Sequence, residues 1–253
     1  MDLQIKGRTA LVTGASAGIG AGIALCLARE GVRLALTGRK RAALETVGRQ
    51  IEALGAPQPV LVTGDLATAD GAKSVASAAL EAFGGNVDFL INNAGGSRPL
   101  NSEETEAFWQ EAYDLNFQAA RRLTAHILPA MRSARHGRIV NVTGAIFGRT
   151  INGAGPAKAA LVAWSRALAF ELGPDNITVN CVAPGRINSV QILERLHPTE
   201  ASRQDYIRQN IPAGRFGDPE DMGNLVAFLV SPRAAYISGA HIPVDGGAVR
   251  IAP

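Results

Sequence analysis

The chain is short of cysteine, of aromatics and of clustered charge, and each shortage removes a class of function. Among 253 residues there are two cysteines, Cys26 and Cys181, each inside an apolar run and neither in a spaced motif. A disulfide framework or thiolate metal site is therefore not expected, and two buried reduced thiols are. Aromatics make up 5% of the chain, the net charge is +3, and no basic run exceeds Arg39-Lys40-Arg41. Stacking platforms and a counterion-releasing patch are both missing, which argues against a nucleic-acid partner. No apolar stretch is long enough to cross a bilayer. Met1–Lys6 carries no apolar core of a secretory signal, so the expected location is cytoplasmic, away from membranes.

What is present is a hydrophobic fraction of 47% arranged in alternating short and long segments. Short β-branched or aliphatic runs at Thr9–Thr13, Arg33–Thr37, Pro59–Thr63, Val87–Ile91, Arg138–Val142, Thr178–Val182 and His241–Val244 read as strands. Between them, near 18–30, 41–54, 69–83, 104–132, 155–172 and 218–230, apolar residues recur at three- and four-residue spacing, as in Leu44, Val47 and Ile51. Runs such as Ala10-Leu11-Val12 and Phe89-Leu90-Ile91 suit strands buried on both faces. The pattern predicts an α/β fold of Rossmann type, a doubly wound, seven-stranded parallel sheet with helices on both faces, forming one domain over residues 1–253. The segment 155–172 is apolar almost all round, which predicts either a core helix or one covered by a second subunit.

The first strand runs into Thr13-Gly14-Ala15-Ser16-Ala17-Gly18-Ile19-Gly20 and then the first helix. Gly14 permits the tight turn, Gly18 lets backbone approach a pyrophosphate, and Gly20 lets helix pack on strand. Amides of the first helical turn, with the side chain of Ser16 and the backbone of Ile19, would hold the phosphates. A purely structural turn is the competing reading of so short a motif. After the second strand, a carboxylate would bind ribose hydroxyls and repel a 2′-phosphate; here the chain reads Thr37-Gly38-Arg39-Lys40-Arg41. Arg39 matches a phosphate with its planar fork, favouring NADP(H) over NAD(H), although a solvated helix start would look the same.

With these residues in place, the chain resembles the short-chain dehydrogenase/reductase superfamily, near its 3-oxoacyl-carrier-protein-reductase-like members, over essentially its whole length. By that resemblance Asp65-Leu66 contacts adenine, and Asn92-Asn93-Ala94-Gly95 steadies the sheet and lines the cofactor, with Asn92, Ala94 and Gly95 as the contacting members. Asn116 corresponds to the helix Asn that holds a proton-relay water. Pro184-Gly185-Arg186-Ile187-Asn188-Ser189 resembles the clamp on the nicotinamide amide, through Pro184, Gly185, Ile187 and Ser189. The stretch from Arg215-Phe216-Gly217-Asp218-Pro219-Glu220-Asp221 to Val244-Asp245-Gly246-Gly247 also matches.

The same resemblance exposes a gap. The family's general acid is a Tyr four residues before its Lys, which lowers the Tyr pKa and holds the nicotinamide ribose. Lys158 is retained, but Ala154 stands at the Tyr position, and the chain has no Tyr between Tyr113 and Tyr206. The family's Ser position reads Gly144. Thr143, one residue earlier, either is re-aimed by a connection about three residues shorter than the family's or simply caps the strand.

Three functions fit. The first is an NADP(H)-dependent oxidoreductase interconverting carbonyl and hydroxyl groups, with Asn116, Lys158 and Thr143 as candidate members of a non-standard relay, or a proton from the substrate. The second is elimination or isomerisation on the same scaffold, for which the nearby His126 and His136 offer no support. The third is an inactive NADP(H)-binding or regulatory protein. Intact cofactor motifs with Asn116 and Lys158 retained favour the first. A lid is expected near 188–214, where Ile192, Leu193, Leu196 and Tyr206 would face an apolar small-molecule substrate. Arg186, Arg195, Arg203 and Arg208 would instead meet an acidic one, although a solvated helix face is the simpler reading of those arginines. Ile146 and Phe147 would form the opposite wall. A homo-oligomer, tetramer or dimer, follows from the family and from the apolar helix.

Overall fold

Alternate residues of the central strands pack into two different cores. In the computed structural model, which describes residues 1–100, 104–144, 146 and 150–248, the first strand is β1 (Thr9–Thr13), followed by α1 (Gly18–Arg29) and β2 (Arg33–Gly38). Then come α2 (Arg41–Ala53), β3 (Val60–Thr63), α3 (Ala69–Ala82) and β4 (Phe89–Asn92). The second half holds α4 (Glu106–Tyr113), α5 (Ala119–Ala134), β5 (Gly137–Val142), α6 (Ala154–Leu172), β6 (Ile177–Pro184), α7 (Glu200–Asn210), α8 (Pro219–Val230) and β7 (His241–Val244). Ala10, Val12, Leu34, Leu36, Ile91, Val140 and Val182 meet α1, α2 and α8 on one face. Leu11, Ala35, Leu90, Ile139 and Val179 meet α3, α5 and α6 on the other. Period-two alternation in strands apolar on both faces thus builds the two helix layers.

All paired strands are parallel, in the order β3-β2-β1-β4-β5-β6-β7. The order reverses between β1 and β4, so a crevice opens beyond their carboxyl ends, where such sheets bind ligands. The expected doubly wound, seven-stranded sheet is therefore the one observed.

Two elements differ from the sequence reading. The single helix expected over 104–132 is α4, a π-helical stretch at Asp114–Gln118, and α5. The wider turn carries Asn116, and no change in hydrophobic spacing announces it. The segment after β6 is a second π-helical stretch, Gln191–Leu196, followed by α7. Helix α6 lays Leu161, Leu168 and Leu172 on the sheet, while Phe170 on its outer face is 90% exposed. Among the described residues no helix is long and apolar enough to cross a membrane.

Candidate functional site

Three glycines shape the turn after β1. Gly14 and Gly18 have φ of 61° and 55°, left-handed values that cost a side-chain-bearing residue strain. At Gly20 the obstacle is space, since an added Cβ would lie 2.2 Å from the Gly14 carbonyl oxygen. The loop is braced from β4: the Thr13 hydroxyl accepts from the amides of Asn93 and Ala94, both at 2.8 Å, and Asn93 Nδ2 donates to the Thr13 carbonyl at 2.9 Å. Asn93 was not among the residues singled out as binding, yet it holds the loop's shape. Its signal was present in the paired asparagines at the end of β4. Asn92 is buried differently, donating to Asn141 Oδ1 at 2.8 Å and to Thr124 Oγ1 at 3.2 Å, so its amide ties β4 to β5 and α5 beneath the crevice.

At the β2 end, Gly38 sits beside Ser16, whose Oγ would be 3.5 Å from a Cβ there. The side chains of Arg39 and Lys40 are exposed and make no hydrogen bond or ion pair with any described residue. Arg41, by contrast, is tied to Glu45 and to the Leu61 carbonyl. Two unpaired cations beside a glycine turn are free to meet a phosphate. After β3, Asp65 is exposed and turns its Oδ1 to the Ala67 amide, while Leu66 is buried.

The buried polar groups of the crevice floor gather at Lys158. Four residues into α6, it is 7% exposed and donates from Nζ to the Val142 carbonyl at 2.7 Å. Burial, only partly opposed by the Cys181 thiol, lowers its pKa to about 8. No carboxylate pairs with it among the described residues. Asn116 arrives from the π-helical stretch, 1% exposed, with Nδ2 on the Ala112 carbonyl at 3.0 Å and Oδ1 accepting the Gly96 amide at 2.9 Å. Gly95 lies between them: a Cβ there would be 2.9 Å from Lys158 Nζ. The crevice floor at Ala94-Gly95, the amide and the amine therefore meet at one place.

The hydroxyl positions do not. Thr143 donates from Oγ1 to the Val182 carbonyl at 3.1 Å and sits 3.1 Å from His241 Nε2, so its hydroxyl is turned into the sheet at β6 and β7. Of the two expectations for Thr143, capping the strand describes this geometry. Gly144 has φ of 155° with nothing within 4 Å of an added Cβ, so the backbone here has left the conformation a serine would adopt. Ala154 is the first residue of α6, its amide donating to Asn152 Oδ1 at 3.0 Å. Asn152 also takes the Arg98 amide, which joins the entry of α6 to the segment after β4. The Ile146 carbonyl lies over Gly155, while Phe147 is outside the described residues.

The clamp is strung between β7 and the loop before α8. Gly185 donates its amide to Val244 at 2.9 Å, and an added Cβ would lie 2.7 Å from Asp245 Cα. Pro184 ends β6, and Ile187 pairs with Gly217 and is buried. Ser189 closes the crevice opposite the glycine turn, 3.5 Å from where a Gly18 Cβ would stand. Asp221 accepts both the Asp218 amide and two Arg215 nitrogens, and these hydrogen bonds lower its pKa. Beyond the clamp, Ile192 and Tyr206 pack with Ile211 and Phe216 in a small cluster of their own, and Leu196 is exposed. Arg203 and Arg208 pair with Glu200 and Asp205. The side chain of Arg195 falls outside the described residues.

Comparison with known proteins agrees with this fold. A family model described as enoyl-(acyl carrier protein) reductase matches residues 14–249. The 3-oxoacyl-[acyl-carrier-protein] reductase of Vibrio cholerae is 36% identical over 251 residues, covering 97% of this chain and 98% of that protein. Nodulation protein G of a Rhizobium species is 36% identical over 253 residues, covering 98% and 99%. Among solved structures, L-sorbose reductase from Gluconobacter frateurii, complexed with NADPH and L-sorbose, superposes with a TM-score of 0.92 at 32% identity, all of both chains covered. The chain belongs to the short-chain dehydrogenase/reductase superfamily, among its 3-oxoacyl-carrier-protein-reductase-like members.

Proposed function

We propose that this protein is an NADP(H)-dependent oxidoreductase that interconverts a carbonyl and a hydroxyl group, with Lys158 in place of a tyrosine as the proton-handling group. The observation that carries the reading is the buried, carboxylate-free ammonium of Lys158, with its pKa lowered to about 8, one helical turn after Ala154.

The residues fit a dinucleotide. Gly14, Ser16, Gly18, Ile19 and Gly20 form a turn closed to larger residues at Gly20, suited to a pyrophosphate. Arg39, with Lys40, is free for a 2′-phosphate, and Asp65 and Leu66 flank the adenine side. The sorbose reductase complex with NADPH supports the choice of nucleotide. Ala94, Gly95, Pro184, Gly185, Ile187 and Ser189 border the nicotinamide end. When bound, the nicotinamide supplies or accepts the hydride.

The chain's own part is the proton. Lys158 Nζ keeps one hydrogen on Val142, which orients the amine, and has others to offer a carbonyl oxygen. In the reducing direction it donates from Nζ. Its proton is restored from water reaching the crevice floor beside Asn116, whose Oδ1 is held by the Gly96 amide. Positioned acids of this kind contribute about 10²–10⁴ in rate. Thr143 has no part in this relay, because its hydroxyl is engaged with Val182 and His241.

The segment at 188–214 serves as the lid over a small-molecule substrate. The outer face of α6, with Phe170 exposed, serves as a contact between copies in a dimer or tetramer, and the protein acts in the cytoplasm. A second reading, a nucleotide-binding protein without turnover, is favoured by the loss of every hydroxyl at the Ser and Tyr positions. Titration with NADPH and NADH, then nicotinamide absorbance across a carbonyl panel, separates the two. Turnover upholds the oxidoreductase, tight binding without turnover upholds the second reading, and binding of neither nucleotide removes both.

A further inference from the structure

Arg186 is a cation of the lid region that no described carboxylate answers. Arg203, Arg208 and Arg215 pair with Glu200, Asp205 and Asp221, whereas the Arg186 side chain makes no hydrogen bond or ion pair with any described residue. Its Nε is sealed from solvent without a partner, a costly state for a charged donor. Arg186 sits in the bend after β6, beside the buried Ile187. There its guanidinium lies over the Tyr206 ring, 5.0 Å from the centroid. His197 packs on the same ring at 4.6 Å, is 8% exposed, and its Nε2 likewise has no partner.

We propose that Arg186, with His197 beside it, receives a carboxylate on the substrate, so that the enzyme takes an oxo acid or hydroxy acid in preference to a neutral ketone or alcohol. This rests on the carbonyl-reducing reading above. Arg186 projects from the segment that flanks the expected nicotinamide, between Gly185 and Ile187. With Nε turned inward, the guanidinium offers its two Nη as a fork that fits both oxygens of a carboxylate. Burial first, then Arg186 and Arg203, lower the His197 pKa, so the imidazole is neutral at pH 7 and adds a hydrogen bond but no charge. Arg203 is already neutralised by Glu200. The Arg186–His197 cluster thus carries one uncompensated positive charge, matched to a monoanion rather than to a phosphate monoester. A carboxylate seated there would bridge the clamp, through Arg186, to the lid, through His197, and so couple substrate charge to lid closure.

The test is calorimetric titration of the NADP⁺-saturated protein with 3-oxobutanoate, 4-oxopentanoate and 5-oxohexanoate and with the methyl ester of each. At least one acid is expected to bind about tenfold or more tightly than its ester, the scale of one charge-assisted hydrogen bond. Arg186→Gln is expected to erase the difference and Arg186→Lys to keep part of it, with NADP⁺ titration confirming that the clamp is folded. If Arg186→Gln no longer binds nucleotide, Arg186→Lys carries the test, weakening the acid and not the ester. Equal binding of acids and esters, or an acid preference that survives loss of the guanidinium, overturns the proposal. Acids that bind but oxidise no NADPH leave the Arg186 site standing and remove the carbonyl-reducing reading. Neutral ketones reduced with no preference for acids do the reverse.

Discussion

Lys158 and Asn116 approach Gly95 from two different helical elements, and a Cβ on that glycine would lie 2.9 Å from Nζ of one and Oδ1 of the other. A side chain at position 95 would displace the amine, the amide or both. The backbone there is narrow because two polar groups must reach the crevice floor together.

If Lys158 handles the proton as proposed, its state sets the pH dependence. Reduction needs the protonated amine and oxidation the free one. With the pKa lowered to about 8, kcat for reduction is expected to fall above that pH and kcat for oxidation to rise. Stability follows the same group. Its folded pKa lies below the ordinary lysine value of 10.5, so between about 8 and 10.5 the unfolded chain binds more protons than the folded one. This group's contribution to stability therefore improves as pH rises through that window and is least favourable below it. Rate profiles measured in both directions check the assignment, and a flat profile across pH 8 would remove Lys158 from the proton transfer.

Lys158→Met separates catalysis from folding. Turnover is expected to drop by about 10²–10⁴. The melting temperature at pH 7 is expected to hold or rise, because a buried cation with no carboxylate partner is removed. Differential scanning fluorimetry beside the rate assay reads both. A marked fall in melting temperature would mean that the Val142 hydrogen bond makes Lys158 chiefly structural.

Arg39→Glu addresses nucleotide choice. Loss of one charge-assisted contact, worth about 1.5–3 kcal/mol, is expected to weaken NADPH about tenfold to a hundredfold. NADH should be affected far less, since it has no 2′-phosphate to repel. Parallel fluorescence titrations decide it, and equal losses for both nucleotides would move the phosphate away from Arg39.

Gly144 and Ala154 respond differently to restored side chains. Gly144→Ser has open space but must hold φ near 155°, and is expected to cost about 1–3 kcal/mol of stability. Ala154→Tyr sits in ordinary helix and is expected to raise the reduction rate at neutral pH without that loss. Urea melts and kcat values test the pair; a Tyr that leaves the rate unchanged would show that the phenol does not reach the carbonyl.

Much of this was legible in one dimension. Leu11 beside Val12, or Leu90 beside Ile91, is a strand apolar on both faces, and such strands alternating with helical spacing dictate a parallel sheet between helix layers. Gly14, Gly18 and Gly20 were readable because backbone conformation and close approach leave few substitutes for glycine. The absence of a Tyr before Lys158 needed no coordinates. Thr143 did: a hydroxyl at a strand end turns either way, and its direction was decided by the Val182 carbonyl and His241, which lie 39 and 98 positions along the chain. The π-helical stretch that delivers Asn116 is set by packing, and hydrophobic spacing runs through it unbroken. Arg186 looked like one arginine among several until the fold showed Glu200, Asp205 and Asp221 taken by Arg203, Arg208 and Arg215, and Arg186 set over Tyr206 with no carboxylate beside it among the described residues. Local periodicity and steric exclusion act on neighbours in sequence and can be read there; hydrogen-bond direction and charge compensation depend on groups that only folding brings together.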